Sequence, residues 1–291
     1  MNTWLLRALW VSLSITAGDA FASALDSWSD GPRLAATIAL WLVWAMVLTA
    51  LLVPRPIALT ITRMASPNAC AAAVLTAFAS GPSAASVALA DLATAGAALL
   101  AVRGEFARAC AQGAAYGDEE RFPLKVPPGI AFGIMPIAVP LAGVGAVAGP
   151  LLLADEQWVL GGFAVAVGWP IAVVIVRLVH QLSRRWVVLV PAGLVVADPL
   201  TLTDPVLFVR ETIQGLGPAD PSRPPGPDAL DLRLGAAFGS TALLLHEEAH
   251  VMRRVRGEGV GVRAGLLLVT PVEADRLLHR AAARRIPVHR S

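Results

Sequence analysis

Six apolar stretches occupy most of the first 180 residues of the chain. Each has about 20 residues, the length that a helix needs to cross the hydrocarbon core of a bilayer. Helices are expected there because a backbone in lipid must satisfy its own hydrogen bonds. The sequence therefore predicts a membrane α-helical bundle over residues 1–182, with spans at 4–25, 34–53, 57–79, 83–102, 130–154 and 158–180.

Composition supports a lipid environment and argues against several classes of function. Hydrophobic residues make up 56% of the chain and charged residues 15%, and the mean hydropathy of +0.66 lies outside the range of soluble domains. A net charge of +2, without arginine runs interleaved with aromatic residues, argues against nucleic acid as a partner. The two cysteines, Cys70 and Cys110, supply neither a disulfide framework nor a cysteine-based zinc site.

The distribution of basic residues predicts the orientation of the bundle, because lysine and arginine tend to stay on the cytoplasmic side. If the N-terminus is cytoplasmic, most basic residues at the span ends lie inside and Arg33 lies outside. Both termini are then cytoplasmic. The alanine- and arginine-rich composition is typical of a high-GC bacterial genome, so we expect a bacterial plasma membrane. The alternative for residues 1–24 is a cleaved signal peptide, which leaves the remaining layout unchanged.

The fifth predicted span carries two G-x-x-x-G pairs. Gly129 is followed by Gly133, and Gly145 by Gly149. Such pairs allow two membrane helices to approach each other closely. We therefore expect a tightly packed bundle.

Asp91 lies near the middle of the fourth predicted span. A carboxylate at that depth costs several kcal/mol unless it is paired, hydrated or protonated. One hypothesis is a proton- or ion-coupled transporter that uses Asp91, with Thr94 one turn away completing the site. The ordinary alternatives are a misplaced helix boundary or a bond from Asp91 to a neighbouring helix.

The pattern changes after residue 182, where short runs of β-branched residues replace the long apolar stretches. Residues 183–291 are therefore predicted to form a cytoplasmic α+β domain. Residues 217–227 contain five prolines and are predicted to be a loop. Thr270 and Glu273 have the spacing of a capping box, which predicts a C-terminal helix. The predicted strands are Trp186–Val190, Leu194–Ala197, Val206–Ile213, the alternating Leu230, Leu232 and Leu234, and Leu266–Val269.

Three segments of this domain resemble a known type of module. They are Val190-Pro191-Ala192-Gly193-Leu194-Val195-Val196, Asp204-Pro205-Val206-Leu207-Phe208 and Leu268-Val269-Thr270-Pro271 with the helix that follows. In strand order and turn placement the domain resembles the PH-like modules of uncharacterised bacterial multi-pass membrane proteins. The resemblance implies a small, partly open barrel capped by one helix, with a role in binding or assembly, and it carries over no catalytic residue.

A second motif supports a different function. Residues 246–250 read His246-Glu247-Glu248-Ala249-His250 and match H-E-x-x-H. On a helix the two histidines share a face and hold one zinc ion, and the first glutamate activates the metal-bound water. The motif resembles the zinc helix of membrane-embedded metallopeptidases, which implies His246 and His250 as ligands and Glu247 as the base. The sequence offers no clear third ligand and leaves open whether residues 241–256 are helix or strand.

Several arginines near the C-terminus are candidates for contact with anionic lipid headgroups. The alternative is a solvated basic face offset by nearby glutamates. The candidates are Arg253, Arg254, Arg256, Arg263, Arg280, Arg284 and Arg285.

We expect from the sequence a non-enzymatic membrane protein without a cofactor. Its bundle anchors a PH-like module that binds a cytoplasmic protein or the lipid surface. The alternatives are a zinc metallopeptidase and a transporter that uses Asp91.

Overall fold

The computed structural model describes residues 3–220, 226, 229–255 and 257–289. The chain forms two compact units. The first comprises Met1–Cys110 and Ile134–His180, and the second comprises Ala111–Gly133 and Gln181–Ser291. The sheet domain is therefore discontinuous in sequence, because it takes a segment from between the fourth and fifth predicted spans.

The first 182 residues are mainly helical. A π-helical turn, Gly129–Ile134, leads directly into α7. The helices are α1 (Thr3–Thr16), α2 (Gly18–Leu25), α3 (Asp30–Leu52), α4 (Pro56–Thr76), α5 (Ala84–Ala101), α6 (Gly104–Gln112), α7 (Met135–Ala154) and α8 (Trp158–Leu182).

Among the described residues, five helical segments are long and apolar enough to cross a membrane. They are Thr3–Leu25, Asp30–Leu52, Ala84–Ala101, Gly129–Ala154 and Trp158–Leu182. These segments indicate a membrane-embedded protein. The third predicted span corresponds to α4, which has 21 residues but is not among the five, so six spans remain a prediction.

The lower hydropathy of α4 has a structural explanation. This helix packs against α2, α3, α5 and α7. Its buried residues include four with hydroxyl groups, which are Thr60, Thr62, Ser66 and Thr76. A helix enclosed by other helices does not meet lipid on all sides, so it tolerates polar side chains that pack or bond within the bundle.

The second G-x-x-x-G pair of the fifth span lies at a close helix contact. A Cβ added to Gly145 would lie 2.8 Å from the carbonyl oxygen of Gly168, and one added to Gly149 would lie 2.5 Å from a Val165 methyl group. Close packing between α7 and α8 is thus confirmed at this pair. Gly129 and Gly133 have open space around them, so the first pair does not serve the same purpose.

The second unit contains two four-stranded sheets and a helix. The first sheet has the order β1-β2-β3-β4, and the second has the order β5-β7-β8-β6. All neighbours are antiparallel except β6 and β8, which are parallel. The strands are β1 (Glu120–Pro123), β2 (Trp186–Val190), β3 (Gly193–Ala197), β4 (Val206–Val209), β5 (Ile213–Pro218), β6 (Ala229–Asp231), β7 (Thr241–Val255) and β8 (Glu258–Val269), followed by α9 (Ala274–Ala283).

The two sheets share one hydrophobic core. Val187 and Leu194 contribute from the first sheet, Leu243 and Leu267 from the second, and Leu277 from α9. In β2, β3 and the first part of β7, alternate residues enter this core, as expected for strands with one buried face. The predicted strands Trp186–Val190 and Leu194–Ala197 are confirmed as β2 and β3.

Other local predictions need correction. Val206–Ile213 is not one strand, because a 3-10 turn at Arg210–Thr212 separates β4 from β5. The capping box does not form, since the Thr270 hydroxyl donates to the Ala236 carbonyl, and α9 begins at Ala274. Within the predicted loop 217–227, β5 extends to Pro218, and residues 221–225 and 227 lie outside the described residues.

Candidate functional site

The H-E-x-x-H segment lies within strand β7 rather than on a helix. The residues that lead into it follow the two-residue period of a strand, because 241, 243 and 245 are buried while 244 and 246 are exposed. A bulge interrupts the pairing with β8, because Leu244 pairs with Leu266 and Ala249 with Ala264. The helix that the metallopeptidase alternative needs is therefore absent.

The proposed ligands of that alternative are not assembled into a site. His246, Glu247 and His250 are all exposed. On a helix, two histidines four residues apart lie one turn apart on the same face, close enough to hold one ion. In a strand, the same two residues are separated by about 13 Å. In the part of the chain that the structure describes, no group of three or more His, Cys, Asp or Glu side chains is placed to hold a metal ion.

The predicted basic patch divides into groups with different environments. Arg253, Arg254 and Arg263 are exposed on the β7–β8 hairpin, while Arg256 lies outside the described residues. Arg284 donates hydrogen bonds to the carbonyl oxygens of Leu189 and Asp118, so it supports the fold. Arg285 is exposed after α9. The arginines therefore do not form one functional set.

The hairpin has one face that points away from the core. Val251 and Ala264 are buried on its inner side, so their neighbours at 250 and 263 lie on the other side. Cross-strand partners share a face, and the partners here are His250 with Arg263, Met252 with Gly261, and Arg254 with Gly259. We call these six residues the outer hairpin face. It contains two arginines, a histidine and no acidic residue.

The two glycines give this face its shape. A Cβ added to Gly261 would lie 2.8 Å from the His250 imidazole, and one added to Gly259 would lie 3.2 Å from the Met252 methyl group. The His250 and Met252 side chains therefore lie across the neighbouring strand. Arg253 belongs to the opposite side of β7, where its charge acts on Asp231. The two-residue period of a strand is enough to predict that Arg253 and Arg254 lie on opposite faces. It does not predict that Gly259 and Gly261 make room for the side chains of Met252 and His250.

A buried ion pair in the sheet domain was not anticipated from the sequence. Arg185 donates from Nε and Nη2 to the two carboxylate oxygens of Asp198, at 2.8 and 2.7 Å. It also donates to the carbonyl oxygens of Lys125 and Leu232, both at 3.0 Å. The side chains are 2% and 0% exposed. The two residues flank the β2–β3 hairpin, 13 residues apart, and neither belongs to a motif that predicts an ion pair.

A second cluster of charges attaches α9 to β1. Arg280 and Arg276 donate to the Glu120 carboxylate at 2.6 and 3.1 Å. Burial by itself raises the pKa of the Glu120 carboxyl, but the hydrogen bonds and charges of the two arginines outweigh it and hold the pKa below its usual value of 4.5. These side chains hold the helix to the sheet and are not free to act on a substrate.

The Glu120 cluster predicts a specific loss of stability in acid. A carboxyl whose folded-state pKa is lowered stabilises the fold above its usual pKa of 4.5, and that contribution is lost as the pH falls through the lower value. We expect hydrogen-exchange protection of α9 to fall in this acid range. Glu120→Gln should lower the protection at neutral pH by about fivefold, since partly exposed pairs contribute up to about 1 kcal/mol. An equal acid loss in Glu120→Gln would contradict the assignment.

Asp91 lies inside α5 and has no bonding partner for one of its oxygens. Oδ1 is buried without a hydrogen bond. Thr94, which was expected to complete a site with Asp91, instead donates to the main-chain carbonyls of Ala90 and Asp91 at 2.7 and 3.3 Å. The structure therefore does not join the Thr94 hydroxyl to the Asp91 carboxylate.

Two arrangements therefore remain as candidates. The first is the outer hairpin face of the sheet domain, and the second is the carboxyl of Asp91 in the helical bundle. Comparisons of the chain with protein-family models, curated proteins and solved structures give no significant match.

Proposed function

We propose that the protein is a bacterial plasma-membrane protein with six spans whose cytoplasmic, PH-like domain binds anionic lipid headgroups and has no catalytic role. The observation that carries this proposal is the outer hairpin face, with His250, Arg254 and Arg263 exposed on one side and no acidic side chain among its residues. Each arginine near an anionic lipid surface contributes about 1 kcal/mol to the free energy of binding. Such a face is suited to phosphate groups.

The architecture of the domain supports the PH-like part of the proposal. Two four-stranded, largely antiparallel sheets enclose one core, and a C-terminal helix packs on it through Leu277 and Ala281. This arrangement agrees with a small, partly open barrel capped by one helix. It supports binding on the surface of the barrel, because the interior is filled by side chains.

Chain connections support the choice of lipid as the ligand. Residues 183–185 are the only ones between the end of α8 and the start of β2. Residues 124–128 separate β1 from the π-helical turn that begins another candidate span. Three and five residues reach at most about 10 and 18 Å, so little chain connects the domain to those spans.

Three carboxylates of the domain are engaged in contacts with arginines. Asp198 and Glu120 are bonded to arginines that hold the domain together, and Arg233 forms a two-point contact with Asp231. A general acid or base has to be free to reach a substrate proton. These carboxylates are instead committed to structural contacts.

A spin label on the outer hairpin face provides the test. The label is attached to Met252→Cys in a Cys70→Ala background. Cys110 need not be replaced, because burial raises the pKa of its thiol to about 12 and the reactive thiolate does not form. The full chain is placed in nanodiscs of phosphatidylcholine, with or without phosphatidylglycerol. We expect the label to lose contact with a water-soluble relaxation agent only when the anionic lipid is present. High salt should reverse the effect.

Charge variants identify the residues responsible. Arg254→Gln with Arg263→Gln should reduce the ratio of docked to free hairpin by about 30-fold, since two arginines contribute about 2 kcal/mol. Arg253→Gln is the matched control on the opposite face of β7 and should change the ratio much less. The proposal is wrong if the label stays in water with anionic lipid present. One equivalent of zinc in the purified protein, lost in His246→Ala, would favour the metallopeptidase instead.

A further inference from the structure

Asp91 is an acidic residue inside a helix that is long and apolar enough to cross a membrane. It lies seven residues after the start of α5 and ten before its end. At least one carboxylate oxygen is enclosed without any hydrogen-bond donor. A charged carboxylate in such a place costs several kcal/mol without compensation. The protein therefore carries an unfavourable group in the middle of a span.

Neither ordinary explanation of Asp91 agrees with the structure. The helix boundary is not misplaced, because α5 runs without interruption from Ala84 to Ala101. No hydrogen bond or ion pair joins the Asp91 carboxylate to a neighbouring helix among the described residues. The residue is thus not explained by a role in holding the bundle together.

The charged and titratable groups on the surrounding helices do not compensate Asp91. Helix α5 packs against α1, α2 and α4, which carry Arg7, Asp19, Arg63 and Cys70. Arg7 donates to the Leu51 carbonyl at 2.9 Å and lies 5.0 Å from the Trp4 ring centroid. Asp19 is exposed and has the same charge sign as Asp91. Arg63 forms no ion pair with Asp91.

A second buried polar group without a partner lies in the same pair of packed helices. Ser66 of α4 is 0% exposed, and its hydroxyl has no hydrogen bond. Its neighbours Thr60 and Thr62 instead donate to the main chain four residues earlier, at 3.2 and 2.8 Å. An unsatisfied buried hydroxyl costs about 1–3 kcal/mol. Both α4 and α5 thus hold polar groups that packing alone does not account for.

We propose that Asp91 is a proton-binding site within the helical bundle. The carboxylate takes one proton from water and becomes a neutral carboxylic acid, and it returns that proton to water when the site is exposed again. Protonation removes the charge and so removes most of the cost of placing the group in lipid. A metal cation is a poorer candidate, because hard cations take six or more oxygen ligands. No group of three candidate ligand residues occurs in the described ranges.

Dicyclohexylcarbodiimide tests this assignment because it reacts with a carboxylic acid and not with a carboxylate. The acid proton moves to one carbodiimide nitrogen while the carboxylate oxygen bonds to the central carbon. The product then rearranges to a stable N-acylurea, and no group leaves. The full-length protein in nanodiscs is treated over a range of pH, and the adduct is located by peptide mass spectrometry.

We expect an adduct at Asp91 whose yield falls at least tenfold as the pH is raised. Asp91→Asn should remove the adduct from the α5 peptide, whereas the control Asp19→Asn should leave it unchanged. In proteoliposomes with an imposed pH gradient, Asp91→Asn should also slow proton flux at least tenfold at an unchanged melting temperature. If Asp91→Asn does not fold, the labelling of the wild-type chain decides the question by itself. The proposal is overturned if Asp91 stays unlabelled at every pH or is labelled equally at every pH.

Discussion

Asp198→Ala is expected to lower the free energy of unfolding of the sheet domain by about 3–5 kcal/mol. The substitution leaves the Arg185 guanidinium buried, with only the Lys125 and Leu232 carbonyls as partners. A buried charge has given up its hydration on folding, and without its counter-ion no attraction compensates for that cost. Denaturant-dependent hydrogen exchange of the β2 and β3 peptides in the full chain measures this loss.

Two controls separate the buried pair from a general charge effect. Glu119→Gln removes a pair with Arg121 whose side chains are 28% and 17% exposed, and it should cost less than about 1 kcal/mol. Arg185→Met combined with Asp198→Leu should be less destabilising than Asp198→Ala, because no unpaired charge remains. A loss below about 1 kcal/mol in Asp198→Ala would show that the pair does not hold the domain together.

Gly145→Ala and Gly168→Ala are expected to lower the stability of the helical bundle by about 1–3 kcal/mol each. An added Cβ at Gly145 would lie 2.8 Å from the Gly168 carbonyl oxygen, and one at Gly168 would lie 2.5 Å from that of Gly145. Main-chain atoms cannot rotate away as a side chain does, so α7 and α8 must separate. Thermal unfolding of the purified full chain, followed by helical circular dichroism, measures the effect.

Gly129 and Gly133 provide controls in which the same substitution is not expected to lower stability. Nothing lies within 4 Å of a Cβ added at either position. Alanine is a better helix former than glycine by about 1 kcal/mol, so Gly129→Ala and Gly133→Ala should be neutral or stabilising. If all four variants lose stability equally, the close contact between α7 and α8 is not the cause.

The strands differed in how far local pattern predicted them. Trp186–Val190 and Leu194–Ala197 lie next to each other in the chain and meet through a short turn, so local propensity identifies both. Strand β1 has only four residues in a connecting segment and pairs with β2 across more than sixty residues. A short segment whose partner is that distant carries little local signal. Local pattern therefore does not assign β1 to the sheet domain.

Residues 246–250 illustrate how tertiary pairing overrides a motif. The spacing of His246 and His250 suits a helix, yet the segment lies within β7, where Ala249 and His250 pair with β8 after the bulge. Burial of apolar residues on both sides of the motif, such as Leu245 and Val251, outweighs the local helical preference of its glutamate and alanine residues. The same pairing places His250 beside Arg263 on the outer hairpin face.

The sequence by itself determined that much of this chain is suited to lipid and that a sheet domain with a C-terminal helix follows. These features arise from the length and period of apolar runs, which act through neighbours along the chain. Only the tertiary structure decided that Arg185 and Asp198 pair, that Gly145 meets Gly168, and that one oxygen of Asp91 has no partner. Those facts depend on how separate strands and helices pack in space, and no local pattern encodes them.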